Sequence, residues 1–443
     1  MNNVFFRTGV AFAVATLVGC GGGGGGSSPN PVALTVKVNG AVRAADASGQ
    51  VSVAPGDQVE ISSNQATNWN GASASGSTIT LRNGNIASTV WTAQIVNGQA
   101  SAGTYTLTGA SAADASQAAT VRLSVSAGDT RNGSYQVFAT NGTRQTLALN
   151  FDVKTYEMND PANAAADASG SFAANAAEAG TWDFVTPRGA TAVTAKFRMT
   201  TDTVVGSFPF ATAFAAAGSY SVQPFVASRA LRTAQSALDG IYNRFGISIT
   251  ASGRDSTIAQ MQIVSGGAQM KVCNDNTIYT IAACPSGSVI TFNITPGSTL
   301  DRWNLTNVAD NSNGGTFSVA NVAGQNVYLN ASSTQTAGTQ LFRIGMLASN
   351  FAGGTARGGD TTGAWGTNTA SLSAATSTGI NAAGAALQPI NLSLSASLQN
   401  TLYVGTPGGG NNYFLTQSGK IGAMIGARGN PATQGYLQIG LLD

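Results

Sequence analysis

Apolar and polar residues alternate along most of this chain in short runs, and the runs are cut by glycine, asparagine, aspartate and serine. Leu34-Thr35-Val36-Lys37-Val38, Val59-Glu60-Ile61-Ser62, Ile79-Thr80-Leu81, Tyr105-Thr106-Leu107 and Val121-Arg122-Leu123-Ser124-Val125 each place every second side chain on one face. A period of two with frequent turn residues predicts β-strands with one buried face. Ile390-Asn391-Leu392-Ser393-Leu394-Ser395-Ala396-Ser397-Leu398 carries the same alternation late in the chain. Helical spacing occurs at 228–239, where Ser228 is placed as a cap, Leu231, Ala234 and Leu238 share one side, and Gly240 terminates. Residues 162–180, rich in alanine, asparagine and serine, read as an exposed loop. The pattern predicts an all-β protein.

Residues 33–127 hold about seven strand-like runs, with Trp69 and Trp91 available to fill a core between two sheets. Within them, Val53-Ala54-Pro55-Gly56-Asp57-Gln58-Val59-Glu60-Ile61 resembles the proline-glycine turn that enters a strand in bacterial immunoglobulin-like modules. That resemblance implies an immunoglobulin-like sandwich of the kind without an internal disulfide, more often a spacer than an active part. Residues 128–132 read as a linker.

In 133–443 a repeat is visible. Gly-x-aromatic triplets stand at Gly133-Ser134-Tyr135, Gly240-Ile241-Tyr242 and Gly363-Ala364-Trp365, followed by Gly180-Thr181-Trp182, Gly315-Thr316-Phe317 and the looser Asn411-Asn412-Tyr413. Tyr135 to Trp182 and Trp365 to Tyr413 are nearly equal spacings, while Tyr242 to Phe317 is longer, as if the middle copy carried an insertion. Segments 324–347 and 419–442 align without a gap and match at Gly324/Gly419, Ala337/Ala432, Ile344/Ile439, Gly345/Gly440 and Leu347/Leu442. The expected copies are 133–239, 240–362 and 363–443, built as tandem barrels or as propeller-like blades.

Composition narrows the class of function. The 443 residues include 21 Lys+Arg, 19 Asp+Glu and no histidine, with charged residues at only 9%. No cationic excess is available to neutralise phosphates, which argues against nucleic acid as a partner. Without histidine, Ser-His-Asp and Cys-His catalysis are excluded.

The first residues carry an address. Arg7 precedes the apolar run 10–18, which is of signal-peptide length and too short to span a bilayer as a helix. The run ends in Leu17-Val18-Gly19-Cys20, which resembles the lipobox of bacterial lipoproteins. The resemblance implies cleavage before Cys20 and lipidation of its sulfur, and Gly21 in place of aspartate implies the outer membrane. Six glycines from Gly21 to Gly26, then Ser27 and Ser28, form a flexible tether. A lipidated end and a tether suit a peripheral body better than a membrane-spanning barrel, and Leu441-Leu442-Asp443 lacks the terminal aromatic typical of such barrels. The organisation expected is a signal peptide at 1–19, lipidated Cys20 and tether to 32, the sandwich at 33–127, the linker at 128–132 and the repeat domain at 133–443.

Candidate chemistry is sparse. Cys273 and Cys284 flank a predicted hairpin inside the apparent insertion, and an exported pair at this spacing is expected to form a disulfide. Two thiols alone do not make a metal site, and none is expected. Asp310-Asn311-Ser312-Asn313-Gly314 has a trace of a calcium loop but lacks a distal glutamate, so it reads as an Asn-Gly turn. Glu157 with Asp152 or Asp160 is the best carboxylate cluster for a hydrolase, against a plain Asp160-Pro161 turn. Trp303 and Tyr279, in the segment the other copies lack, are the candidate ligand-binding aromatics. The function expected is a non-enzymatic, cofactor-free lipoprotein that binds a glycan or protein. The alternatives are a structural envelope component and a carboxylate-dependent hydrolase.

Overall fold

Strand follows strand throughout the computed structural model, which describes residues 31–443 apart from 39, 55–56, 74–85, 93–94, 97–98, 101, 190–192, 276–279, 300, 334–337, 350, 398–400 and 406–411. The run at Ile79, the lipobox with Cys20, the tether and Tyr279 lie outside the described residues. Two compact units are present, one running to Asn132 and taking in Asn150–Val153, the other holding the rest of the chain.

The first unit is a seven-stranded sheet in the order Ala41–Arg43, Leu34–Val38, Gln58–Ser73, Gly103–Ser111, Ala118–Val125, Gln50–Val53, with Ile86–Thr92 also paired to Gln58–Ser73. The 16-residue strand Gln58–Ser73 pairs with Leu34–Val38 through its first half and with Gly103–Ser111 through its second. Its register shifts between Ser62 and Thr67, the kind of irregularity that lets one strand serve two directions of a sheet. Trp69, Leu107 and Leu123 fill the core against valines of the neighbouring strands. The linker at 128–132 is tied down within this unit. Asn132 Oδ1 accepts from the Phe151 amide at 2.6 Å, Asp152 Oδ1 accepts from the Asp129 amide, and the Arg131 guanidinium lies 3.9 Å from the Phe151 ring centre.

The second unit is three closed antiparallel barrels of eight strands each, every strand pairing with its sequence neighbours. The first opens with Gly133–Ala139 and ends with Tyr220–Ser228, the second runs from Gly240–Thr250 to Gln340–Leu347, and the third from Gly354–Asp360 to Leu437–Leu442. In each, the first strand pairs with the last and leaves no edge. The alternatives of barrels or blades resolve as barrels.

A shared core explains why some strands do not alternate. Thr155–Asn159 and most of Ala374–Ile380 read exposed-buried, as walls between solvent and a barrel interior. Thr203–Ala211 and Leu437–Leu442 are buried on nearly every residue. Their outward side chains enter one cluster with contributions from every barrel, including Phe138, Val205 and Val226 of the first, Phe245 and Ile344 of the second, and Ile421 and Ile439 of the third. Burying a side chain of this size contributes roughly 1.5–3 kcal/mol, so apolar area dominates the cohesion of the three barrels.

The matched segments 324–347 and 419–442 are the last two strands of the second and third barrels. Ile344 and Ile439 both face the shared core, while Gly345 and Gly440 each sit between the first and seventh strands of their barrel. The third copy begins at Gly354, not at Gly363. Tyr242 faces Leu347 in the second barrel, and the equivalent partner of Leu442 is Ala356, so the triplet at that position is Gly354-Thr355-Ala356 with no aromatic to reveal it. Gly354 shares the positive φ of Gly133 and Gly240. Trp365 instead opens the second strand, Trp365–Ala370. The near-equal spacings therefore compared strands one and five of the first barrel with strands two and six of the third. The middle copy's longer spacing runs from its first strand to its sixth and marks no inserted domain.

Two local expectations are corrected. Ser228 ends a strand, and only Gln235–Leu238 forms a short 3-10 turn. The connector is held by tertiary bonds. Gln235 Nε2 donates to the Gly267 and Ile294 carbonyls, Asp239 accepts from the Gly266 and Gly267 amides, and Leu238 plugs the second barrel. Within 162–180, Ala168–Ala174 is a barrel strand whose outward positions carry small residues and whose Phe172 enters the interior.

Candidate functional site

A network of six charged side chains lies where the first and third barrels meet. The turn after Ala168–Ala174 is built by Asn175, whose Oδ1 accepts from the Ala177 and Glu178 amides, and by Gly180 at φ 77°. This fixes Glu178, which accepts from the Thr181 hydroxyl at 2.9 Å and from the Trp365 indole at 3.1 and 3.3 Å. Arg357 approaches the same carboxylate at 3.6 Å and holds both carboxylate oxygens of Asp443 at 2.5 and 2.6 Å. Arg198 completes the chain of charges at 2.7 Å from Asp443. Strand pairing sets Lys196 opposite Asp183, and the two form an ion pair at 2.9 Å, with Asn175 Nδ2 on the same carboxylate.

Beside this network lies a cleft of about 490 Å³ lined by Asn175, Glu178, Lys196, Arg357, Trp365, Thr367 and Thr378. Its volume lies within the range of small-molecule sites. Glu178 already accepts from Thr181 and Trp365 and pairs with Arg357, so it fixes the wall of the cleft and is not a free base. Hydroxyls from Thr367 and Thr378 stand beside carboxylate, ammonium and guanidinium groups, a mixed set of donors and acceptors suited to a hydroxyl-rich ligand.

The residues singled out from sequence fall elsewhere. Trp303 is 3% exposed, faces Phe317 across paired strands and sits inside the second barrel, so its ring covers the core and presents no face to a ligand. It belongs to the fifth strand of the barrel wall, not to an insertion. Cys273 and Cys284 form a disulfide with Cα atoms 5.7 Å apart, bridging the end of Gln269–Cys273 to the loop before Val289–Pro296. Asp310 accepts from the Ser312 amide and hydroxyl at 3.0 and 2.6 Å, while its carbonyl takes the Asn313 amide, which is a turn held by its own carboxylate. The Ser312 hydroxyl bond holds that carboxyl below the usual range.

Each carboxylate of the hydrolase alternative has its own local setting. Asp152 accepts from Asp129 and Asn132 in the first unit. Asp160 accepts from the Ala162 amide and Gln145, closing the turn with Pro161. Glu157 lies on the exposed face of Thr155–Asn159. Asp46 and Asp114 repeat the Asp310 arrangement with Ser48 and Ser116, so carboxylates that are rare to begin with are spent on turns. Among the described residues no three Cys, Asp or Glu side chains group as metal ligands.

No family model matches the chain, and no curated protein matches it. Among solved structures, a Quinonprotein alcohol dehydrogenase-like protein from Bacteroides thetaiotaomicron aligns with 92% of this chain and 99% of its own. The identity is 8% and the TM-score 0.15, a likeness too low to carry an argument about fold or activity.

Proposed function

We propose that this chain is an outer-membrane lipoprotein that binds a glycan or protein ligand and catalyses no reaction. The observation that carries the reading is the cleft of about 490 Å³ between the first and third barrels, rich in paired polar groups. Carboxylates committed to turns and ion pairs, in a chain without histidine, support binding over catalysis. A neutral, hydroxyl-rich glycan fits the lining best.

The address rests on the lipobox Leu17-Val18-Gly19-Cys20 and the glycine tether behind it. Residues 33–127 are read as an immunoglobulin-like stalk, supported by the strand that serves two directions of the sheet around Trp69. Outward residues of the solvent walls, such as Thr155, Glu157 and Asn159, are polar, which supports a body outside the hydrocarbon layer. Closure of all three barrels leaves them no strand edge to pair through, so assembly by strand addition would fall to the open sheet of the first unit, and the barrels are better suited to binding.

The test is a binding panel of neutral and acidic oligosaccharides and matrix proteins against the full chain in detergent, compared with Thr378→Trp. Thr378 is exposed and lines the cleft, so the indole fills the site without disturbing a core. A ligand that weakens tenfold or more in the variant supports the reading. No ligand on the panel, or one indifferent to the substitution, overturns it.

A further inference from the structure

The interior of the second barrel divides into an apolar part and a cationic end. On Gly240–Thr250, Tyr242 belongs to the packed interior, and the same-face residues that follow are Arg244, Gly246 and Ser248. Pairing sets Arg244 opposite Ala259 and Gly345, and Gly246 opposite Thr257 and Arg343. The neighbouring side chains Phe245 and Ile247 face outward into the shared core, which fixes the direction of the others. A Cβ at Gly246 would lie within 2.7 Å of both Arg343 and Thr257, so the glycine is what lets Arg343 lie across this strand.

The two guanidiniums are not compensated alike. Arg343 donates to the Ile247 and Phe342 carbonyls at 2.8 and 2.9 Å and to Ser248 at 3.1 Å. Arg244 has a buried Nε without a partner, and its guanidinium makes no hydrogen bond to any described residue. The Thr257 hydroxyl, opposite Gly246 on the neighbouring strand, is likewise buried and unpartnered. The carboxylate at this end is Asp255, opposite Ser248, and it also faces Arg428 of the third barrel at 3.7 Å. Tyr328, a phenol that burial keeps protonated, brings no charge. Burial, and then the neighbouring Arg244, push Arg343 down to about 9. A buried guanidinium nitrogen without an acceptor is costly, and Arg244 keeps its Nε in that state while the side chain as a whole is part-exposed and reaches the open end of the barrel. Ser248, Asp255, Leu341 and Arg343 are all part-exposed, so this end of the barrel is open to solvent.

We infer that the end of the second barrel lined by Arg244, Arg343 and Thr257 binds an oxyanion group, the carboxylate, sulfate or phosphate of a small acidic molecule. Guanidinium forks match such oxygens in pairs, and the Thr257 hydroxyl supplies a further donor. The site is separate from the cleft of the first and third barrels and stands whether or not that cleft binds a glycan.

The test is thermal unfolding of the full chain in detergent, titrated with inorganic phosphate, sodium sulfate or glucuronate against sodium chloride at matched ionic strength. At least one oxyanion is expected to raise Tm, and the responding probe distinguishes a tetrahedral group from a carboxylate. Arg244→Met removes the uncompensated charge, so the variant is expected to be more stable than the parent in chloride and to bind the oxyanion roughly tenfold more weakly or worse. Absence of any oxyanion-specific shift in the parent, an unchanged response in the variant, or a loss of stability of the variant in chloride would each overturn the inference.

Discussion

The indole N–H of Trp365 donates to both carboxylate oxygens of Glu178, joining the second strand of the third barrel to a turn of the first. Both partners are largely buried, so the bond is charge-assisted and poorly screened. Trp365→Phe keeps most of the ring and removes the donor. It is expected to destabilise the barrel unit by roughly 1.5–3 kcal/mol, read as a lower denaturant midpoint with an unchanged m value. A midpoint equal to the parent's would show that the bond does not hold the barrels together.

Ala356 stands where the second barrel has Tyr242, and a small apolar cavity of about 40 Å³ lies beside it, with Leu415, Met424 and Leu442 in its lining. Ala356→Leu should fill that space and stabilise the protein by about 1 kcal/mol. Differential scanning calorimetry checks this, and a drop in Tm would mean that the interior is already closed at that point.

Asp360 is the buried acid of the third barrel. Its carboxyl is pushed above the usual range by burial, which the bonds from Thr362 and Ala364 offset only in part. An acid whose folded pKa is raised keeps its proton longer when folded, so stability falls as pH rises through the usual carboxylate value toward the folded one. Asp360→Asn retains an acceptor oxygen and carries no charge. It should raise Tm at pH 7, with the gap closing as the pH approaches 4. A gap that is constant across this range would assign the effect to packing instead of charge.

The Cys273–Cys284 bridge closes a short loop, with partners 11 positions apart. Replacing both cysteines with serine is expected to cost about 2–3 kcal/mol by the chain-entropy estimate. Parent and variant should then unfold alike in strong reductant, and a persistent difference would point to the serines themselves.

How much of this was legible in the chain depended on which face of a strand carried the information. Alternation at Val121–Val125 and Ile390–Ser397 identified strands because one side of each meets solvent or polar neighbours. Runs such as Ile421–Gly426 are buried on both faces, so their continuous apolar character announces burial without saying against what. Local helical spacing at 228–239 was overridden by side-chain bonds from Gln235 and Asp239 to residues of the next barrel. The third repeat was misplaced because Ala356 replaces the aromatic that marks the first strand of the other two. The cleft left no spacing or motif in the sequence, since Glu178, Arg357 and Asp443 are brought together only when barrels built from distant segments pack. Scarcity was the one available hint, as Glu178 is one of only three glutamates in the chain.

A binding body must also be where its ligand is. Protease shaving of intact cells, with detection of peptides from 133–443 and a Cys20→Ser strain in parallel, tests the central reading most directly. Release of barrel peptides without lysis, together with loss of the protein from the envelope in the Cys20→Ser strain, is the expected result. Full protection until the outer membrane is permeabilised would contradict it, and would leave a role inside the envelope in its place.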